Sequence, residues 1–107
     1  MRGTTILAHD HDVFALDISF NDDAMTISLD DGRVISVPLA WYPRLLAGTQ
    51  AERGHFELIG DGEGIHWPEL DEDISVAGVL AGHRSAEADA SLARWLARRQ
   101  AASTRDL

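Results

Sequence analysis

The chain has 107 residues, the length of one ordinary domain, and its 45% hydrophobic and 25% charged residues are typical of a globular protein rather than a disordered one. Eighteen acidic residues against nine basic ones give a formal net charge of −9, which argues against a protein that binds nucleic acid over its whole surface. The chain contains no cysteine and no lysine, which excludes disulfides, thiol catalysis, cysteine-based metal sites, lysine Schiff bases and P-loop chemistry.

Three short strands are predicted first, over residues 13–20, 25–29 and 33–37, because apolar and polar residues alternate there. In the first strand this alternation places four apolar side chains on one face, namely Phe14, Leu16, Ile18 and Phe20. Turn-forming residues separate the strands, so we expect an antiparallel meander.

The second of these turns predicts the register of its hairpin. A three-residue loop, with Gly32 in the left-handed conformation of a G1 bulge, sets Ile27 opposite Ile35 and Met25 opposite Val37. A two-residue loop would instead set Ile27 opposite a serine. The three-residue loop is preferred because it keeps apolar side chains together on one face of the sheet.

Two short helices are predicted after the third strand. The first runs through residues 41–46, with Pro43 in its first turn and Gly48 at its end. The spacing of Thr49 and Glu52 is that of a capping box and predicts that the second helix begins there.

A later hairpin is predicted from two apolar runs, residues 56–59 and 65–67, which stand on either side of a glycine-rich acidic loop. Another short helix is predicted over residues 75–81, with Gly82 at its end. The expected fold class is therefore α+β.

Charge divides the chain into an acidic body and a basic tail. Residues 1–90 carry five arginines and 17 acids, a net charge of −12, whereas residues 91–107 carry four arginines and one acid, a net charge of +3. The predicted organisation is a single α+β domain over residues 1–82, followed by a helical tail over residues 83–107.

The tail is predicted to be an amphipathic helix. Ser85 is placed to cap its start, and Leu92, Trp95 and Leu96 form a narrow apolar stripe at helical spacing. This stripe could pack on the domain, join two copies in a homodimer or meet a partner protein.

Catalytic and metal-binding chemistry finds little support in the sequence. His9 and His11 would share one face of a strand, as a metal pair needs, but nothing specifies the further ligands that a site requires. His66 could act as a general base beside an acid, but the chain offers no activated nucleophile for it to serve. We therefore assign no catalytic, metal-binding or cofactor-binding residue and expect no cofactor.

A partner-binding surface is the better supported interpretation. Four acids crowd residues 69–73, close to an aromatic and proline cluster that could form the centre of an interface. Alternatively, Trp41 and Trp67 belong to the core, and the acids are solvated, cap a helix or perform acid–base chemistry. The candidate partner-binding residues are Trp41, Tyr42, Arg44, Arg53, His66, Trp67, Glu69, Asp71, Glu72, Asp73 and Trp95.

Two strings of residues resemble a known family. The first begins at Val37 and reads Val-Pro-Leu-Ala-Trp-Tyr-Pro-Arg-Leu; the second begins at Gly64 and reads Gly-Ile-His-Trp-Pro-Glu-Leu-Asp-Glu-Asp-Ile-Ser. They make the chain similar, over about residues 13–82, to the bacterial family known as domain of unknown function 2442. The resemblance implies a small α+β domain with no established enzymatic activity. Because some members are encoded beside a small toxin-like protein, it also implies an antitoxin-like role.

The function expected from these observations is a non-catalytic, acidic protein-binding module, an antitoxin-like neutraliser of a basic toxin or nuclease. One alternative is a phage or mobile-element inhibitor of a host nuclease, of the anti-CRISPR kind, with carboxylates in place of nucleic-acid phosphates. The other is a small metal-dependent or acid–base enzyme. Since no targeting segment or membrane-length apolar run is present, we expect a cytoplasmic protein that contacts no membrane and does not bind nucleic acid directly.

Overall fold

Within residues 13–105, the fold consists of two three-stranded antiparallel sheets, three short α-helices and a longer C-terminal helix. The computed structural model describes residues 13–105, with side chains described over residues 13–102; His9 and His11 lie outside the described residues. The strands are β1 (Ala15–Phe20), β2 (Ala24–Leu29), β3 (Val34–Pro38), β4 (Glu57–Ile59), β5 (Gly64–Trp67) and β6 (Glu72–Ser75), and the helices are α1 (Pro43–Ala47), α2 (Gln50–Gly54), α3 (Val76–Leu80) and α4 (Asp89–Arg105). The predicted α+β class is confirmed.

The first sheet has the strand order β1-β2-β3, and the predicted register of its second hairpin is confirmed. Ile27 lies opposite Ile35, and Met25 lies opposite Val37. Gly32 has a φ of 94°, the left-handed conformation that this turn requires. A run of buried apolar residues on β2 therefore faces the core.

The alternation predicted for β1 is interrupted by a β-bulge. Ala15 pairs with Leu29, but Asp17 pairs with the next residue of β2, so Leu16 is an extra residue in the ladder. The predicted face is therefore wrong at this end of the strand: Val13 and Ala15 are buried, whereas Leu16 is 62% exposed. The small side chain of Ala15 lies at the point where a turn later in the chain closely approaches the backbone of β1.

That turn is the 3-10 segment Gly60–Gly62 between β4 and β5, and it joins the two sheets. A Cβ atom at Gly62 would lie 2.4 Å from the Ala15 carbonyl oxygen, and Gly62 has a φ of 111°. Glycine is therefore required here for two reasons, the backbone conformation and the close approach to β1.

The second sheet has the order β4-β5-β6, and its last strand was not predicted. The predicted hairpin of β4 and β5 is confirmed, but residues 72–75, expected as an acidic segment and helix start, form β6 instead. Ile74 pairs with Ile65, and both are buried. The ladder with β5, which includes this buried apolar pair, thus holds an acidic segment in a sheet.

The short helices follow their predicted caps. Thr49 Oγ accepts from the Glu52 backbone N–H at 3.1 Å, and a Glu52 carboxylate oxygen accepts from the Thr49 N–H at 2.9 Å, which confirms the capping box. The helix predicted over 41–46 is divided at Tyr42, with a 3-10 turn before it and α1 after it. The division occurs because Pro43 disfavours helical geometry in the residue before it.

The C-terminal helix begins later than predicted. Ser85 Oγ does accept from the Glu87 N–H, at 3.3 Å, but α4 begins only at Asp89. The reason is that the Ser85 N–H donates to the Trp41 carbonyl, which holds this segment along the body instead. None of the helices in the described range is long and apolar enough to cross a membrane. The division of the chain at residue 82 stays a prediction.

Trp67 stands at the centre of the core. Its side chain is fully buried, its ring meets Phe20 edge-on at 6.3 Å and lies 6.4 Å from Phe56, and its Nε1–H donates to the Arg53 carbonyl at 2.9 Å. Both sheets and α2 therefore meet at this one side chain. Trp67 belongs to the core, as the alternative interpretation held, and its side chain is not available to a partner.

We expect Gly62→Ala to lower the free energy of unfolding by about 2–4 kcal/mol, because the methyl group would force the turn away from β1 and the left-handed backbone would be strained. Urea denaturation followed by tryptophan fluorescence would measure the change. Gly32→Ala is the matched control, since Gly32 also has positive φ but a methyl group added there would meet no atom within 4 Å. It should cost about 1 kcal/mol from backbone strain alone. Equal losses in the two variants would contradict the importance of the contact with Ala15.

Candidate functional site

A cleft of about 470 Å³ lies between β6, α3 and the segment that leads into α4. It brings together five of the predicted partner-binding residues, Tyr42, Arg44, Asp71, Glu72 and Asp73. The opposite wall adds residues that were not among the predicted partner-binding residues, chiefly His83, Arg84, Ser85 and Glu87. We call this site the acidic cleft, because four carboxylates and two guanidinium groups line it.

Arg44 organises the acidic cleft. Its Nε donates to one Glu87 carboxylate oxygen at 2.8 Å, and its Nη2 donates to the other at 2.5 Å, a bidentate pair. Its Nη1 donates to the Asp71 carbonyl at 3.2 Å and lies 3.6 Å from the Asp71 carboxylate. One guanidinium therefore joins α1, the turn before β6 and the segment before α4.

The pair is electrostatically strong. The hydrogen bond from Arg44, reinforced by one from the Ser91 hydroxyl, lowers the pKa of the Glu87 carboxyl to about 2. The same pair raises the pKa of the Arg44 guanidinium. Both groups are thus charged throughout the neutral range.

Trp95 of α4 lies between two guanidinium groups. The Cζ atoms of Arg44 and Arg99 are each 4.8 Å from the centroid of its ring, and Arg99 also forms a bidentate pair with Glu52, at 2.8 and 3.1 Å. Trp95 is only 6% exposed. Its predicted place on a partner surface is therefore wrong for its side chain, which fixes α4 to the body.

Glu72 is the half-buried acid of the cleft. It alternates with Asp73 along β6, so its side chain lies on the core side of the sheet, near Tyr42. One carboxylate oxygen accepts from the Asp73 N–H at 3.2 Å, and the other is buried with no hydrogen-bond partner among residues 13–102. Burial raises the pKa of Glu72. Burial also raises the pKa of Tyr42, whose hydroxyl donates to the His83 carbonyl at 2.9 Å.

The other two acids form the open rim. The Asp71 side chain is 84% exposed, and the Asp71 backbone is in the left-handed conformation, with a φ of 51°. Asp73 is 70% exposed and contacts His66 Nδ1 at 2.6 Å. These carboxylates remain within reach of a molecule that approaches from solvent.

The remaining predicted residues lie elsewhere. Glu69 contacts His55 Nδ1 at 2.7 Å, outside the cleft. Trp41 is half-buried, with the Arg84 guanidinium 4.9 Å from its ring centroid. Arg53 lines a different pocket, beside the end of β1. Among the residues that the structure describes, no group of three or more His, Asp or Glu side chains could hold a metal ion.

Glu87 is the most important residue that sequence reasoning missed. Its sequence position suggested only an acid near the start of a helix, where it would favour the helix dipole. The sequence signal that could have pointed to it is Arg44, in the family-like string that begins at Val37, because a half-buried guanidinium requires a carboxylate partner. Nothing in the sequence says that this partner stands 43 residues later.

Comparison with known proteins supports the fold and is silent on activity. The family model described as "Protein of unknown function (DUF2442)" matches residues 15–85. The chain is similar to a crystal structure of a protein of unknown function from Rhodospirillum rubrum, with 23% identity, a TM-score of 0.61 and coverage of 70% of this chain and 93% of that one.

It is also similar to a solution NMR structure of an uncharacterized protein from Chromobacterium violaceum, with 19% identity, a TM-score of 0.59 and coverage of 80% and 75%. No curated protein matches the chain. At these identities the two structures bear on the fold alone.

We expect Glu87→Gln to reduce the free energy of unfolding at pH 7 by about 1–3 kcal/mol, because the amide cannot form the charge-assisted pair with Arg44. Folding lowers the pKa of Glu87 from 4.5 to about 2, so its contribution is present above pH 4.5 and is lost as the pH falls towards 2. The stability of the unaltered protein should therefore fall more steeply over this range than that of the variant.

Denaturant titrations at several pH values would measure this difference. Glu57→Gln is the control, since Glu57 is exposed and lies outside the cleft, and it should preserve the slope. A Glu87→Gln variant with the pH slope of the unaltered protein would contradict the assignment.

Proposed function

Since the chain belongs to the DUF2442 family of proteins of unknown function, we propose from the chemistry of the acidic cleft that it is a non-catalytic protein-binding module. In this proposal it receives an arginine or lysine side chain of a basic partner protein. This is the activity of an antitoxin-like neutraliser, the role that the family resemblance implies.

The observation that carries the proposal is the environment of Arg44. The cleft already binds one guanidinium of its own chain, through the Glu87 carboxylate, the Asp71 carboxylate and two backbone carbonyls. The cleft therefore has the chemistry that binds a guanidinium, and the carboxylates left for a partner's guanidinium are the exposed ones of Asp71 and Asp73. The side chain of Arg44 thus shows how the cleft binds a guanidinium group, the group that we propose a partner protein provides.

The charge that remains is negative. Glu87 is neutralised by its bidentate pair with Arg44, whereas the carboxylates of Asp71 and Asp73 are largely exposed at the rim. Glu72 adds an unpaired oxygen at the base of the cleft. A cation that enters the cleft would contact the exposed carboxylates of Asp71 and Asp73 first and the desolvated carboxylate of Glu72 last. The exposed charges would attract it from a distance, and Glu72 would determine how deeply it enters.

The acidic body strengthens this selectivity. The net charge of −12 over residues 1–90 repels acidic proteins and accelerates encounters with basic ones. Exposed pairs contribute little equilibrium affinity, so the buried part of the contact must provide the rest of the binding energy.

We expect the protein to bind a short arginine peptide but not its citrulline analogue, which keeps the shape of the side chain without the charge. Replacing the rim carboxylates, in the double variant Asp71→Asn/Asp73→Asn, should weaken binding about five- to tenfold, from the loss of two exposed charge contacts. Isothermal titration calorimetry at low salt would measure the dissociation constants.

A variant of equal net charge separates the cleft from the overall field. Asp17→Asn/Asp23→Asn removes two exposed acids, one on β1 and one in the turn after it, and should leave the affinity nearly unchanged. Equal weakening by both double variants would show attraction to charge in general, and absence of peptide binding at low salt would also contradict the proposal.

A further inference from the structure

A second pocket, of about 290 Å³, lies where the end of β1 and the turn after it face α2. Phe20, Asn21, Asp22, Gln50 and Arg53 are among its lining residues. We call it the Arg53 pocket. Its size is near the lower end of small-ligand pockets, which hold about 300–1,000 Å³, and none of the interactions in the acidic cleft involves it.

Arg53 is held rigidly at this pocket. Its Nη1 donates to the Leu45 carbonyl at 3.0 Å and to the Gly48 carbonyl at 2.7 Å. Its Cζ lies 6.0 Å from the centroid of the Phe20 ring. The backbone thus fixes the position of the guanidinium while contributing no negative charge.

Arg53 differs in this respect from the other arginines that are held in place. Arg33, Arg44 and Arg99 each contact a carboxylate, whereas no carboxylate lies within 4 Å of Arg53 among the residues that the structure describes. Its Nε is also buried, with no hydrogen-bond partner in the described part of the chain. A positive charge that lines a pocket without a nearby carboxylate points to an acceptor from outside the described chain.

The neighbouring side chains suit an acceptor of this kind. The Asn21 side-chain oxygen accepts from the Asp23 and Ala24 N–H groups, each at 2.8 Å, which leaves the Asn21 NH₂ group to donate. The Gln50 amide lines the same pocket, and Phe20 provides an apolar wall. One cation, two amides and one aromatic ring are the groups that recognise a carboxylate on an apolar stem.

We propose that the Arg53 pocket binds a carboxylate carried on a short apolar stem. The guanidinium of Arg53 neutralises the carboxylate, the amides of Asn21 and Gln50 donate beside it, and the stem packs on Phe20. A free carboxylic acid and the carboxylate of a polypeptide share this chemistry. A water molecule would satisfy the Arg53 Nε but would leave the charge uncompensated.

Asp22 limits what the pocket accepts. It is the one acid among the lining residues, and its negative charge opposes the approach of an anion. A ligand with a single carboxylate is therefore favoured over a dianion. The same residue provides a test, because its removal should strengthen binding.

The experiment is a titration of the full chain, followed by the NMR shifts of backbone amides. The probes are 3-phenylpropanoate, its neutral analogue 3-phenylpropanol, and a short peptide ending in phenylalanine with a free or an amidated C-terminus. We expect saturable shifts at Phe20, Asn21 and Arg53 with the carboxylate probes but not with the neutral ones. If the free-acid peptide binds, the source can be a polypeptide; if only 3-phenylpropanoate binds, it is a small molecule.

Two variants keep Arg53 and the carbonyl contacts that hold it. Asp22→Asn should tighten binding of 3-phenylpropanoate about three- to fivefold, and Gln50→Glu should weaken it by a similar factor, the size of an exposed charge interaction. Equal shifts from the acid and the alcohol, no saturable binding of any probe, or dissociation constants unaffected by both variants would overturn the proposal.

Discussion

The ion pair between Arg44 and Glu87 holds the architecture of the site together. It connects α1 to the segment before α4, and the same guanidinium contacts the turn before β6 and one face of Trp95. The acidic cleft exists as a cleft because this pair holds its two walls at a fixed separation. Removing either charge would leave the other half-buried without its bidentate partner, which is why such pairs cost more to break than to replace.

The elements that the sequence predicts best are those whose determinants are local. The hairpin register at Gly32 and the capping box of α2 each depend on residues a few positions apart, and both are confirmed. The bulge at Leu16 adjoins the place where a turn more than 40 residues away contacts β1, and β6 depends on its pairing with β5. Alternation and composition carry no information about either contact.

The candidate site divides in the same way. The acidic segment and its neighbouring arginine are visible in the sequence, and the structure brings them together. Burial is not visible: Trp67 and Trp95 have the composition of an interface but are buried, since two arginines cover Trp95 and both sheets enclose Trp67. The carboxylate that pairs with Arg44, and the lack of one beside Arg53 among the described residues, are likewise determined by side-chain placement, which residue spacing does not predict.

The absence of lysine has a consequence for how the C-terminal helix tolerates alkali. Its contacts with the body rest on Arg44 and Arg99, and pairing with Glu87 and Glu52 raises the pKa of both guanidinium groups. A lysine in either place would lose its proton within the alkaline range that a guanidinium withstands. The attachment of α4 is therefore more sensitive to acid than to alkali, because acid can protonate Glu87 and Glu52 whereas alkali leaves Arg44 and Arg99 charged.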